Sequence, residues 1–313
     1  MLTKTTKMKF DLLKEMCEIN ATSGDEILMT KFLIKYIEKN SKNWKVQPEI
    51  FAGDQFQESI VLSFGKPKTA IFAHIDNIGF TTGYKKDLIK VGGPRLKTGY
   101  KLHGEDAKGI VTCEVKYDEK KEKLTYKSSK KIMPGTPLSF VCDWREDKDY
   151  IQSCYMDNRL GVWNALQVAE NLENGIIVFS CREEHGGGSA EFLGKFIYEK
   201  YGVRQALISD ITWVTDGVKH GKGVALSLRD SGIPRRQYVN KILALAEESK
   251  IPYQVEVESA GGSDGNALQR SPYPFDWMFI GAAEDNVHTP DEKVHKKDIE
   301  SMVKIYKYLM KYL

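Results

Sequence analysis

No two of the five cysteines, Cys17, Cys113, Cys142, Cys154 and Cys181, stand as C-x-x-C, and their number is odd. The sequence therefore suggests neither a disulfide framework nor a thiolate zinc site, and a reducing compartment is expected. Long apolar runs are missing too. No stretch approaches the roughly eighteen residues of a membrane span, and the lysine-studded start MLTKTTKMKFDLLKEMCEIN lacks the continuous apolar segment of a secretory leader. Charge of one sign is scarce: 46 Lys and Arg against 43 Asp and Glu leave +3, which gives no basis for gripping a phosphate backbone. Nucleic acid and membrane are accordingly not expected partners. There is no repeat and no low-complexity tract. What remains is a cytoplasmic protein whose 313 residues, 41% of them hydrophobic, suffice for one large α/β domain with a modest insertion.

Two helices are predicted at the start. Phe10, Leu12, Leu13, Met16 and Cys17 fall at helical spacing, and Ser23 with Glu26 stands in capping-box relation before Ile27, Leu28, Phe32, Leu33, Tyr36 and Ile37. Beyond them, short apolar runs (70–73, 175–180, 205–209, 223–228 and 277–281) alternate with longer helical patterns. That alternation predicts a mostly parallel central sheet with helices on both faces. Ser189 is expected to cap a helix, Pro234 to precede one, and Asp298 to cap the last, which carries Ile299, Met302, Val303, Tyr306, Leu309 and Met310 on one side. Residues 78–152 break the pattern with short β-rich runs among Gly, Pro and Lys-rich turns, as a small inserted β-barrel domain would. The catalytic domain is then 1–77 together with 153–313. The charged runs DEKKEK and KSSKK read as solvated hairpin turns.

Open α/β sheets bind ligands beyond the carboxyl ends of their strands, and acids and histidines stand at those positions here. His74 and Asp76 follow TAIFA, Asp157 precedes a helix, Glu183 and Glu184 follow GIIVFS, Asp210 follows QALIS, and His288 lies after DWMFIGAA. Each alone has an ordinary reading as a helix cap, a solvated turn or a core histidine. Their recurrence at successive strand ends favours a shared site. Carboxylates gathered with only Arg159 and Arg182 nearby repel one another, and divalent cations relieve that repulsion. If Asp157 bridges, one ion takes His74, Asp157 and Asp210, and the other takes Asp157, Glu184 and His288. Three protein ligands and an open position are how catalytic zinc is held, and a nitrogen and carboxylate set also suits cobalt or manganese. Asp76, two residues from His74, is placed to orient its imidazole. One of Glu183 and Glu184 would bind metal and the other act as general base, and spacing alone does not say which.

The motifs AHIDNIGF, YMDNRLG, CREEHGGGSAEF, SDIT, GGSDGNAL and VHTPDEKVHKKDIESM, in this order, resemble the glutamyl aminopeptidase family of dinuclear metallopeptidases, which includes the tetrahedral aminopeptidases. TSGDE and VGGPRLKTGYKLHG extend the resemblance over nearly the whole chain. It implies a zinc-hydrolase fold with an inserted β domain, and two divalent ions held by His74, Asp157, Glu184, Asp210 and His288. It also implies Glu183 as the base and Asp76 as the residue orienting the histidine. Peptides are the implied substrates, and a homo-oligomer as large as a dodecamer is the implied assembly. Asn158 and Asn77 stand where the family commonly carries Asp and Glu, and Gly187, Gly188 and Ser189 replace a usual Leu-Arg-Gly. The loop from Gly261 to Asp264 is expected beside the pocket on resemblance only. His103, His185, His220 and His295 are surplus to the metal count. The expected function is removal of N-terminal residues by a metal-assisted water. A related carboxypeptidase or deacylase, and a catalytically silent binding or assembly protein, are the alternatives.

Overall fold

The computed structural model describes residues 8–313, so the first part of the lysine-studded start lies outside the described residues. Helices α1 (Asp11–Cys17) and α2 (Ile27–Asn40) open the chain, followed by strands β1 (Glu49–Phe51), β2 (Ile60–Phe64) and β3 (Ala70–His74). Strands β4 (Gly79–Thr82), β5 (Leu88–Val91), β6 (Lys101–Asp106), β7 (Gly109–Asp118), β8 (Lys123–Lys127) and β9 (Pro137–Phe140) then succeed one another with no α-helix between them. The remainder alternates: β10 (Arg145–Glu146), β11 (Tyr150–Ser153), α3 (Met156–Ala169), β12 (Gly175–Ser180), α4 (Ala190–Tyr201), β13 (Gln205–Trp213), β14 (Val224–Ser227), α5 (Arg236–Ser249), β15 (Tyr253–Glu256), α6 (Asp264–Arg270), β16 (Asp276–Asp285), β17 (Glu292–His295) and α7 (Lys296–Tyr312).

Eleven strands form one mixed sheet, whose main order is β1-β2-β12-β3-β13-β16-β17-β11-β10. The expected parallel arrangement holds for the central strands β12, β3, β13 and β16 and for β14 with β15, while the other pairs are antiparallel. Alternating side chains explain why this centre is buried on both faces. Ile177 and Phe179 of β12 and Ile71 and Ala73 of β3 join the core under α1, α2, α3, α5 and α7, whereas Ile176, Val178, Ala70 and Phe72 join the core under α4 and α6. The second sheet, β5-β4-β9-β6-β7-β8, has its own core around Phe80, Leu102, Val115, Leu138 and Phe140. A bridge between Asp87 and Thr125 brings its two edges together, so that it is a nearly closed barrel. Strands β10 and β11 lie after this barrel but pair into the large sheet through β17.

Three local expectations are corrected by tertiary contacts. Glu26, not Ser23, precedes α2 and makes no side-chain capping bond; Ser23 Oγ donates to Asp76 instead. Ser189 stands at the N-cap of α4 as expected, but its Oγ accepts from Cys181 N at 2.9 Å and makes no capping bond to the helix. Helix α7 begins before Asp298: the N-cap is His295, whose Nδ1 accepts from Lys297 N at 3.1 Å. Asp298 accepts instead from Gly221 N and Gly223 N at 2.7 and 2.8 Å. In each case a donor or acceptor brought in by the fold competes with the helix's own free ends.

The expectation of no disulfide is also overturned, because Cys142 and Cys154 are bonded, with Cα atoms 5.6 Å apart. Spacing could not show this, since the two meet only when the segment leaving β9 folds back against the one that enters α3. Cys17, Cys113 and Cys181 are free and buried. Among the described residues no helix is long and apolar enough to cross a membrane.

Candidate metal centre

Five elements deliver the side chains singled out in the sequence to one rim of the large sheet. His74 ends β3 and pairs in register with Ser180, the last residue of β12. The turn that follows β12 carries Glu183 and Glu184. Asp157 occupies the first turn of α3, with a cis peptide to Asn158. Asp210 lies within β13, which runs four residues farther than the expected run and ends at Trp213. His288 sits in the connection from β16 to β17.

The distances define two groups that share one residue. His74 Nε2 lies 3.2 Å from Asp157 Oδ1 and 3.6 Å from Asp210 Oδ2. His288 Nε2 lies 3.4 Å from Asp157 Oδ2 and 3.2 Å from Glu184 Oε2. The two oxygens of Asp157 thus face different histidines. In each triad, His74 with Asp157 and Asp210, and Asp157 with Glu184 and His288, donor atoms from all members lie within 4.8 Å of one another. Glu183 belongs to neither triad, and its Oε2 is 3.9 Å from His74 Nε2.

The electrostatics describe a site with too much negative charge for its burial. Burial pushes Glu183 and Asp210 well above the ordinary carboxylate range, and neighbouring carboxylates add to the effect. Glu184 is raised by burial and by Asp157. Burial opposes charging of the imidazoles, yet Asp210, Asp157 and Asp76 outweigh it at His74, and Asp157 and Glu184 push His288 up to about 12. For Asp157 the two histidines prevail over burial and hold the carboxyl low. Protons are thus shared among groups that a dication would hold more directly. The donors fit such an ion: each triad offers imidazole nitrogen and carboxylate oxygen, and Glu184 Oε1 is buried without a hydrogen-bond partner.

A surrounding shell fixes these groups. Asp76 Oδ1 is 3.3 Å from His74 Nδ1, and the Asp76 carboxylate also accepts from the backbone N–H groups of Glu183 and Glu184, each at 3.1 Å. One buried acid therefore lies against a histidine and accepts from both amides of the glutamate turn. Arg159, fully buried, donates to the carbonyls of Met16, Ile75 and Asp76 and to Asn77 Oδ1, tying α1 to the segment after β3.

Sequence reasoning missed Glu292, whose Oε2 accepts from Asp157 N at 3.2 Å and whose Oε1 accepts from His288 N at 2.9 Å. Nothing in the spacing marks it, because its partners are backbone amides. Also missed was the loop after β5, where Gly93 O accepts from or faces His288 Nδ1 at 3.1 Å. Gly92 there has φ +68, and a Cβ on it would lie 2.8 Å from Ile78 and 3.1 Å from the Glu184 carbonyl, so glycine is required. His185, set aside as surplus, accepts from Gly92 N at 3.1 Å.

A cavity of about 240 Å³ opens onto both triads and continues past Thr212 and Trp213 to the loop at Gly261 and Gly262. The arrangement suits activation of a water beside an amide carbonyl, with an uncommitted carboxylate, Glu183, at hand.

Comparison with known proteins places this geometry in context. The model of the M42 glutamyl aminopeptidase family matches residues 100–305. A protein of Acetivibrio thermocellus bearing the name "Putative aminopeptidase" is 28% identical over 95% of this chain and 96% of its own length. Among solved structures, the aminopeptidase APDkam598 of Desulfurococcus kamchatkensis superposes with a TM-score of 0.84 at 20% identity, covering 97% of this chain and 94% of that one. The TET1 peptidase of Pyrococcus horikoshii, which assembles into a tetrahedron or a large octahedral shell, gives 0.81 at 23% identity over 96% and 98%. These two likenesses establish a shared fold.

Proposed function

Since the chain belongs to the M42 glutamyl aminopeptidase family of metal-dependent peptide-bond hydrolases, we propose that it is a dinuclear aminopeptidase that removes N-terminal residues from peptides. The observation that carries the dinuclear reading is Asp157, one oxygen turned to His74 and the other to His288. His74, Asp157 and Asp210 would hold one ion, and Asp157, Glu184 and His288 the other, with zinc, cobalt and manganese all compatible. Bound there, the ions would supply Lewis-acid polarisation of the scissile carbonyl and a lowered pKa for the attacking water. Glu183, outside both triads, takes the proton of that water and returns it to the leaving amine. Asp76 holds the His74 tautomer through Nδ1 and keeps Glu183 and Glu184 in register through their amides.

Residues 78–152 are the inserted unit of this reading, and 1–77 with 153–313 the catalytic one, with β10 and β11 at the boundary pairing into the large sheet rather than the barrel. A separate core in the barrel supports that division. The barrel is not idle, since its Gly92–Gly93 loop touches His185 and His288. A homo-oligomer is proposed by analogy with TET1. A cytoplasmic location rests on the sequence reading, and the Cys142–Cys154 bridge weighs against the reducing part of it.

The test measures metal per chain together with cleavage of short unblocked peptides and their N-acetylated counterparts. About two ions per chain and cleavage of the unblocked peptides alone are expected. Preference for N-acyl amino acids would make the protein a deacylase instead, and stoichiometric metal without turnover would make it a silent homologue.

A further inference from the structure

The part of the cavity beyond the ion-binding residues is acidic in a way that the hydrolytic chemistry does not use. Asp230, Glu256 and Glu258 line it, together with the apolar walls of Trp213 and Phe279, and among the described residues no lysine or arginine does. Asp230 and Glu256 are only 8% and 4% exposed, and Glu258 is half-buried.

Their hydrogen-bond partners are neutral: Gly232 N and Asn266 for Asp230, and the Thr212 hydroxyl for Glu256. Arg229 is the neighbouring cation. Its Nε donates to the carbonyls of Asp230 and Glu258 at 3.2 and 3.1 Å, and it does not line the cavity. Burial, reinforced by Glu258 and Asp230, raises the Glu256 carboxyl, so these acids sense one another's charge. Thr212 lies two residues beyond Asp210 on β13, about 7 Å along the strand, and Glu256 accepts from its hydroxyl there. That is side-chain range from a carbonyl seated over the ions. Trp213 and Phe279 offer surface to a methylene stem, and the carboxylates offer countercharge to its end.

We propose that this cavity receives the side chain of the substrate's N-terminal residue and selects a cationic one, lysine or arginine, over an acidic one. The proposal rests on the aminopeptidase reading above and sets this chain apart from the glutamyl preference in the family's description.

The test uses the metal-loaded full chain with aminoacyl anilides in matched pairs. Lysyl against norleucyl isolates the ammonium on a common stem, and glutamyl against glutaminyl isolates the carboxylate. A kcat/KM ratio of about tenfold or more is expected for lysyl over norleucyl and for glutaminyl over glutamyl. Glu258→Gln and Asp230→Asn should each reduce the lysyl to norleucyl ratio, a readout from which loss of folded protein cancels. Lysinamide should inhibit norleucyl cleavage more strongly than norleucinamide does. Equal rates within the pairs, or a preference for glutamyl, would overturn the proposal while leaving the peptidase intact. Failure to cleave any of the anilides would overturn the aminopeptidase reading and this proposal with it.

Discussion

Exchange of the adjacent glutamates separates the two roles that spacing leaves open. Glu184 Oε2 stands 3.2 Å from His288 Nε2 within a triad, whereas Glu183 Oε2 is 3.9 Å from His74 Nε2 and outside both triads. Glu183→Gln preserves size and removes the proton acceptor. General-base catalysis contributes about 10²–10⁴-fold, so kcat should fall by that factor, equivalent to about 3–5 kcal/mol of barrier. KM and metal content should stay close to those of the parent, because no ion ligand has been touched. Glu184→Gln replaces a charged ligand by a neutral one, so metal content should fall from about two ions per chain toward one, and turnover with it. Elemental analysis after dialysis, chelator competition and steady-state hydrolysis of an unblocked peptide measure all three quantities. If Glu183→Gln loses an ion while Glu184→Gln keeps both, the assignments are exchanged. Full turnover in both variants would place the base elsewhere and refute the argument.

Glu292→Ala removes the acceptor for the Asp157 and His288 amides and should weaken ion affinity by about 10–100-fold, as loss of an orienting neighbour does. Chelator competition measures it, and unchanged affinity would show that the backbone holds both ligands unaided. Glu26 concerns stability. Burial lifts its carboxyl from 4.5 to about 7, against the opposing bond from Gly24 N. The folded state then holds this proton more tightly than the unfolded chain. Its contribution is full below about pH 4.5 and is lost as pH rises toward 7, a loss of up to about 3 kcal/mol. Glu26→Gln keeps an acceptor for the Gly24 and Arg182 amides, so it should flatten unfolding free energy between pH 5 and 7 and exceed the parent at pH 8. Urea titrations that show equal slopes in pH would dismiss the effect.

Much of this architecture is legible in the chain because periodicity is local. The runs at 70–73, 175–180 and 205–209 are dominated by apolar residues since helices cover both faces, and that composition is visible without coordinates. Strands such as β2, β6, β11, β15 and β17 were not anticipated. β2 and β11 pair with strands remote in sequence, β12 and β17, whereas β6 and β17 also pair with the adjacent strands β7 and β16; β6, β11 and β15 are partly exposed, so these three lack a uniform apolar signature. The capping bonds expected of Ser23, Ser189 and Asp298 are absent for a related reason, although α4 does start directly after Ser189: a cap is a contest for a hydrogen bond, and the winning partners came from elsewhere in the fold.

By itself the sequence determined which residue types were available for metal chemistry and that they recur at the ends of apolar runs. Only the tertiary structure decided how they meet: that the oxygens of Asp157 turn to opposite histidines, that Glu184 and not Glu183 closes a triad, and that Glu292 and the Gly92–Gly93 loop contact Asp157 and His288. The physical reason is that covalent order fixes chemistry and local conformation, whereas distances between carboxylates, and the charge of the cavity they line, arise from packing of segments well separated along the chain.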